Sequence, residues 1–283
     1  MEPTPAGAAL SYVQLGRGLM ANLAQFLEPD EARAESRCWL AEGLGRSPGW
    51  LLAHGEEPVP EAEVRQVEAW LARRRLGEPW AYLLGWAPFR GLRFRVTPAT
   101  LIPRPETELV LEAALDLGRR LNVRHACDIG TGSGILAIHL ALETDWRITA
   151  TDISPDALAV ARANAAELRA QVVFCQGDLL DAVAGPAGLV VSNPPYVDPA
   201  DAPGLQRELG FEPRQALFAE DRGLALATRL LAQAHRRSAP GCVLEIGAGQ
   251  GAELAERARA QGWKRVAVHQ DLAGHDRILL AVG

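Results

Sequence analysis

Lysine is nearly absent from this chain: Lys264 is the single lysine among 29 basic residues. Acidic residues outnumber basic ones, and the formal net charge is -6 at pH 7. That balance weighs against a protein that coats DNA or RNA, which needs a broad basic field. The one dense basic run, Arg73-Arg74-Arg75, reads as a solvated helix end whose cations complement the macrodipole. Long apolar runs are missing too. No stretch reaches the ~20 apolar residues that cross a bilayer, so no membrane span is expected. The segment from Met1 to Ala9 lacks a basic region followed by an apolar core, which speaks against a secretory signal. Cysteine is sparse: Cys38, Cys127, Cys175 and Cys242 form no CxxC pair, and three of them lie in apolar runs. Buried free thiols in a reducing cytosol are the expectation. The histidines form no HxxxH or HxH cluster, so no metal site is indicated. No serine sits in a GxSxG elbow and no GK[ST] loop is present, which removes the hydrolase and phosphate-loop readings.

What is present starts with helices. At 283 residues the chain has room for one large domain and a small one. Leu15, Leu19, Leu23 and Phe26-Leu27 recur at helical spacing. Pro29-Asp30 opens a second helix carrying Cys38, Trp39, Leu40 and Leu44, which Gly45 stops. Ser47-Pro48 caps a short third helix with Trp50, Leu51 and Leu52. A fourth runs from about Pro60 with Val64, Val67, Trp70, Leu71 and Leu76 on its inner side. Together they predict a small helical bundle whose tryptophans are core. Beyond Gly77-Glu78-Pro79 the texture changes. Phe89, Leu92, Phe94 and Val96 alternate around Arg90-Gly91, which predicts a β-hairpin. From Leu109 onward, helices such as Ile135–Leu142 and Pro155–Leu168 alternate with short apolar strands. The strand candidates are Ala126–Ile129, Ile148–Thr151, Val172–Cys175, Leu189–Val191 and Val243–Ile246. Alternation of this kind predicts an α/β domain, a parallel sheet with helices on both faces. Arg265–Val268 and Arg277–Ala281 read as an antiparallel hairpin closing it.

Two loops carry chemistry. Asp128-Ile129-Gly130-Thr131-Gly132-Ser133-Gly134 follows a strand and opens a helix, and glycines there let the backbone approach a ligand closely. Asp152 ends the next strand, where a carboxylate accepts hydrogen bonds from ribose hydroxyls. This pair signals a nucleotide-like cofactor. Ile135 breaks the GxGxxG spacing of nicotinamide dinucleotide sites. Gly177-Asp178 would lie beside the adenine in such a sheet, although a solvated turn aspartate reads almost as well. A second glycine run, Gly247–Gly251, has too little chain after it for another nucleotide-binding half and reads as a strand-to-helix turn.

The sharper signal is Ser192-Asn193-Pro194-Pro195-Tyr196, directly after the strand Leu189–Val191. Paired prolines remove two backbone donors and stiffen the loop, leaving a row of acceptors at the carboxyl end of a strand. An amide nitrogen is a poor nucleophile because its lone pair is delocalised into the carbonyl. The Asn193 side-chain oxygen and the Pro194 carbonyl can accept both of its hydrogens, aim the nitrogen at an electrophilic methyl and stabilise developing charge. Tyr196 offers a face on which a planar amide or base can stack. A methyltransferase acting on a planar nitrogen is the reading this supports. Asn-Pro-Pro-Tyr alone also suits adenine or cytosine amino-methyltransferases.

The chain resembles the bacterial release-factor glutamine methyltransferases, the HemK/PrmC family. The resemblance runs through Gly77-Glu78-Pro79, Leu101-Ile102-Pro103-Arg104-Pro105-Glu106-Thr107-Glu108, Asp128–Gly134, Ser192–Tyr196, Phe211-Glu212-Pro213-Arg214 and Leu244-Glu245-Ile246-Gly247. It implies a helical domain over 1–84 that recognises the release factor and a hairpin linker over 85–100. Over 101–283 it implies a Rossmann-like class I methyltransferase domain with a seven-stranded, mostly parallel sheet. By the same resemblance Gly130, Thr131, Gly132, Ser133, Gly134 and Asp152 hold S-adenosylmethionine, with Asp178, Leu179 and Asn193 beside it. Leu179 stands where some relatives carry an aromatic residue, so adenine would pack on an aliphatic surface. Asn193, Pro194, Pro195 and Tyr196 would hold the acceptor, a glutamine in the Gly-Gly-Gln loop of peptide-chain release factors, with Asn193, Pro194 and Tyr196 in the catalytic role. A cytoplasmic enzyme without membrane or direct nucleic-acid partners is the expectation. The competing readings are a nucleic-acid amino-methyltransferase and a non-catalytic cofactor-binding module.

Overall fold

A computed structural model describes residues 9–283, so the expectation for the extreme N-terminus lies largely outside the described residues. The chain divides after Leu84 into two compact units. In the first, α1 (Tyr12–Leu23), α2 (Pro29–Cys38), α3 (Pro48–His54), α4 (Glu61–Arg75) and α5 (Trp80–Leu84) surround a core of Leu15, Leu19, Leu23, Trp39, Val67 and Trp70. Local signals set the helix starts. The Ser11 hydroxyl accepts the Gln14 N–H while the Gln14 side chain accepts the Ser11 N–H, a capping box. Ser47 caps α3 through the Trp50 N–H, with Pro48 next. Trp39 stacks on Trp80 at 4.6 Å between ring centroids, and Trp70 meets both edge-on.

Several details of this unit differ from the sequence reading. The fifth helix, α5, was not anticipated because its five residues are too few to show a helical period. Phe26, Leu52 and Leu76 are exposed: Phe26 and Leu76 lie past the ends of α1 and α4, which takes them off the inner stripe, and Leu52 is on the outer face of the short helix α3. The stretch Trp39–Gly43 after α2 is a π-helical turn. Arg74 is buried and pairs with Glu35 at 2.9 Å, so the basic run is only partly a solvated helix end. Cys38 is exposed and Cys175 half-buried, leaving Cys127 and Cys242 as the buried thiols. Each of the other two sits where its helix or strand turns an edge toward solvent.

The second unit begins with a hairpin of β1 (Trp86–Phe89) and β2 (Leu92–Arg95). Both turn residues, Arg90 and Gly91, have positive φ, which matches the right-handed twist of the flanking strands. Next come α6 (Thr107–Arg120), β3 (His125–Ile129), α7 (Ile135–Glu143), β4 (Arg147–Asp152), α8 (Pro155–Glu167) and β5 (Val172–Gln176). The chain then continues through β6 (Leu189–Ser192), α9 (Arg214–Leu217), α10 (Ala225–Arg236), β7 (Gly241–Glu245), α11 (Gly251–Ala260), β8 (Arg265–Gln270) and β9 (Asp276–Val282). The seven-stranded sheet runs β5-β4-β3-β6-β7-β9-β8. It is parallel except for β9, which lies antiparallel between β7 and β8. This is the class I methyltransferase architecture that the resemblance implied.

Strand alternation builds two cores. Ala126, Val191 and Val243 face one layer with α6 and α7, while their neighbours Cys127, Val190 and Leu244 face the other with α10 and α11. From β3 the chain winds outward through β4 and β5, then returns to place β6 on the other side of β3. The crevice between the carboxyl ends of β3 and β6 is therefore a topological switch point, where such sheets bind ligands. Both chemistry-bearing loops leave those two strands. Among the described residues no helix is long and apolar enough to cross a membrane.

Candidate active site

A cavity of about 380 Å³ opens at the switch point, within the usual range for small-molecule sites. Gly130, Thr131, Gly132 and Ser133 line it from the loop after β3, and Asn193 and Pro195 from the loop after β6. Asp152, Asp178 and Leu179 line it too. Gly134, Pro194 and Tyr196 are not in the lining. Gly134 faces Ile138 and Ala161 at the α7–α8 contact, and Pro194 is buried.

The β3 loop is a cradle. Gly130 and Gly132 have φ of 70° and 57°, and a Cβ at either would meet no protein atom within 4 Å. The space beside them is open, the positive φ favours glycine, and the bare backbone leaves room for a ligand to approach closely. Asp152 is held rigidly, with one carboxylate oxygen taking the Gly132 N–H and the other the Ser154 N–H, both at 2.9 Å. Burial raises its pKa against these bonds. Each oxygen keeps a lone pair for a hydroxyl donor. Asp128 uses one oxygen for the Thr131 hydroxyl and the Ala137 N–H, while Oδ1 is buried without a partner among the described residues. Burial pushes its pKa up to about 7, and a donor or cation from the cavity would satisfy it. Ile135, Leu136, Ile153 and Leu179 add apolar wall.

Basic groups lining the cavity are already engaged. Arg104 pairs with Glu212 and Arg229 with Asp178, the latter at 2.6 Å. Acceptors, apolar surface and no free phosphate clamp fit a nucleoside with cationic groups better than a phosphorylated one.

The β6 loop is tied down on all sides. The Ser192 hydroxyl donates to the Ile129 carbonyl at 2.6 Å, locking the two strand ends together. Val197 N–H donates to the Leu217 carbonyl, and Gln250 donates through its amide to the Tyr196 carbonyl at 2.9 Å. Gly223, with φ of 81°, lies so close that a Cβ would stand 2.0 Å from the Tyr196 carbonyl oxygen. The Tyr196 hydroxyl donates to Glu245 Oε1 at 3.2 Å, and burial raises its pKa. Its ring thus reaches inward toward β7. Asn193 Nδ2 donates to the Thr107 hydroxyl at 3.1 Å, and that hydroxyl donates to Glu245 Oε2 at 2.7 Å.

Sequence reasoning assigned no individual role to Thr107, Glu212, Glu245 or Gln250. The first three stand inside motif strings that carried the family resemblance, and that is where the signal lay. Glu212 clasps the roof: its buried carboxylate accepts from the Ile102 N–H at 2.9 Å and from Arg104. The Gly247–Gly251 run is the strand-to-helix turn expected, with the Gln250 side chain bonding the Gly247 N–H, and it also supports the β6 loop.

Similarity over nearly the whole chain identifies the family. The chain is 43% identical over 258 residues to a release factor glutamine methyltransferase of Bordetella pertussis, covering 89% of this chain and 95% of that protein. It belongs to the release factor glutamine methyltransferases. The Escherichia coli member is 35% identical over 263 residues, covering 91% of this chain and 95% of that one. Residues 19–85 match the PrmC N-terminal domain model and residues 107–220 the methyltransferase small domain model. Among solved structures, the hMettl16 catalytic domain in complex with MAT2A 3'UTR hairpin 1 shares the fold, with a TM-score of 0.58 at 18% identity. That likeness covers 79% of this chain and 80% of the other. Most of the cavity lining, including both loops, falls in the segment matched by the methyltransferase model, with residues 99–104, Leu226 and Arg229 outside it. Most of the helical unit falls in the segment matched by the PrmC N-terminal model.

Proposed function

We propose that this chain transfers a methyl group from S-adenosylmethionine to the side-chain amide nitrogen of the Gly-Gly-Gln glutamine in peptide-chain release factors. The observation that carries the reading is the convergence of the β3 cradle with Asn193 and Pro195 of the β6 loop on one cavity, in a chain that spans nearly the whole length of its release-factor-modifying relatives. S-adenosylmethionine supplies, when bound, a methyl group made electrophilic by a sulfonium, and its hydroxyls and ammonium suit the acceptor-rich wall. Asp152 is assigned to the ribose hydroxyls, Asp128 and the cradle to the amino-acid end, and Ile153, Asp178 and Leu179 to the adenine side.

Asn193 and the Pro194 carbonyl accept the two hydrogens of the acceptor amide. This holds the nitrogen in line with the methyl and strengthens as positive charge develops there. The proton leaves after transfer, when the methylated nitrogen has become strongly acidic, so no base is needed in the transition state. Tyr196 acts from behind the lining, supporting the loop through its hydrogen bond to Glu245. The helical unit, 1–84, is assigned to release-factor recognition, the hairpin, 85–100, to a linker and 101–283 to catalysis, in a cytoplasmic enzyme with no direct nucleic-acid partner.

Mass spectrometry of purified release factor, incubated with the protein and S-adenosylmethionine, tests this. One methyl is expected on the Gly-Gly-Gln glutamine, abolished by Asn193→Ala with cofactor binding retained. An unmodified, competent release factor beside a methylated nucleic acid would move the acceptor to a base amino group. Cofactor binding with no acceptor at all would make the chain a binding module.

A further inference from the structure

The reading of Asn193 as an acceptor for substrate N–H groups leaves open what decides which end of its amide faces the cavity. Carbonyl oxygen and NH₂ group are nearly the same size, and a flipped side chain would present two donors to a substrate that also brings donors. Something must break that symmetry.

Glu245 is at the end of β7, buried to 1% exposure. It accepts at Oε2 from the Thr107 hydroxyl at 2.7 Å and at Oε1 from the Tyr196 hydroxyl at 3.2 Å. Thr107 is fully buried at the first position of α6, and its oxygen lies 3.1 Å from Asn193 Nδ2. A hydroxyl has one proton. With that proton given to the carboxylate, the Thr107 oxygen can only accept from Asn193, so the NH₂ end must turn toward it. The oxygen end is then left for the cavity that Asn193 lines. These residues come from three elements that share one sheet edge. None of the four belongs to the cofactor cradle.

We propose that Glu245 and Thr107 are positioning residues that set the polarity of the Asn193 amide, so that its oxygen rather than its NH₂ group receives the acceptor nitrogen. The inference rests on the proposed role of Asn193. Glu245 acts through Thr107, and Thr107 through Asn193. The threonine hydroxyl is therefore the element that can be removed without touching the reacting groups.

Single-turnover methylation of release factor, with cofactor affinity measured by calorimetry, tests the arrangement. Thr107→Val removes the hydroxyl at almost constant shape. It is expected to lower kcat by roughly thirtyfold, the scale of losing one preorganised contact to developing charge, with cofactor affinity and KM changed by less than about twofold. Thr107→Ser restores the hydroxyl and is expected within about threefold of wild type. If Thr107→Val does not fold, Thr107→Ala makes the same removal and carries the same expectation. Glu245→Gln should lower kcat as well. Added to Thr107→Val it should cost less than a further threefold or so, because both break one chain. Wild-type kcat in Thr107→Val, or equal losses in the valine and serine variants, overturns the proposal, and full additivity with Glu245→Gln overturns the part assigned to Glu245. Asn193→Ala run alongside separates the two layers. Full activity there removes the acceptor reading itself, whereas its loss beside an active Thr107→Val removes only the polarity device.

Discussion

Carboxylates at the bottom of the site set how this protein responds to pH. Burial, aided by the nearby Glu106 charge, outweighs the Thr107 and Tyr196 hydroxyls and Arg277 around Glu245, raising its pKa to about 7 from an ordinary 4.5. A raised carboxylate pKa means that the native state holds its proton more tightly than the unfolded chain. The associated stability is complete below the unfolded value and is lost as pH rises through about 7. The shift corresponds to roughly 3 kcal/mol at most. Glu245→Gln removes this titration. Its Tm relative to wild type should therefore climb between about pH 5 and pH 8, as read by calorimetry at several pH values; a constant difference would contradict it. His125 and His139, whose pKa values burial lowers, titrate alike in both proteins and cancel from the comparison. At the other end of the cavity, Asp152→Asn leaves shape intact but weakens the acceptor offered to ribose hydroxyls. Binding of S-adenosylmethionine should weaken by roughly tenfold or more, measured by titration calorimetry; unaltered affinity would remove Asp152 from the cofactor site.

Loops between elements are held by contacts that tolerate no added atom. Gly223 precedes α10 and sits under the β6 loop, where a Cβ would collide with the Tyr196 carbonyl oxygen and where φ of 81° already disfavours a side chain. The clash is with backbone, so it can be relieved only by moving the loop. Gly223→Ala should cut kcat at least tenfold or so, since a small misplacement of positioning groups is costly. The β3 cradle lies on another strand, so cofactor affinity should change little. Parallel kinetic and calorimetric measurements decide between this and a general loss of fold, in which both would fall together. The clasp from Glu212 to Ile102 and Arg104 acts similarly on the roof. It joins two segments far apart in sequence through one buried carboxylate.

For the whole molecule, the net charge of -6 conceals a local opposite. In the helical unit a groove between α1, α2 and α3 is lined by Arg17, Arg33 and Arg37 around Gly16, Leu40 and Leu51. None of the three guanidinium groups has a hydrogen bond or ion pair among the described residues. If the helical unit recognises the release factor, these charges steer an acidic surface toward it. Arg17→Glu, Arg33→Glu and Arg37→Glu combined should raise KM for release factor by roughly tenfold and flatten its salt dependence. Cofactor affinity should stay as in wild type, because the cavity is built wholly in the other unit. Steady-state methylation at two ionic strengths is the check, and an unchanged KM would detach this groove from recognition.

Local rules account for much of this protein. Helix caps at Ser11 and Ser47, the Arg90-Gly91 turn and the strand–helix alternation depend on residues a few positions apart, so periodicity and turn chemistry show them directly. The glycine cradle and Asn-Pro-Pro-Tyr loop were visible for the same reason, since each is a contiguous backbone demand. A five-residue helix, α5, was too short for a period to appear. Exposure of Cys38 and burial of Arg74 depended on which way a helix face turned, which composition does not record. The chain Glu245–Thr107–Asn193, the Glu212 clasp and the Gly223 contact join positions that meet only because the switch point brings β3, β6 and β7 to one edge. Long-range hydrogen bonds carry no local periodicity. Sequence therefore displayed the groups proposed to bind and to react, and tertiary structure decided how they come together at one sheet edge.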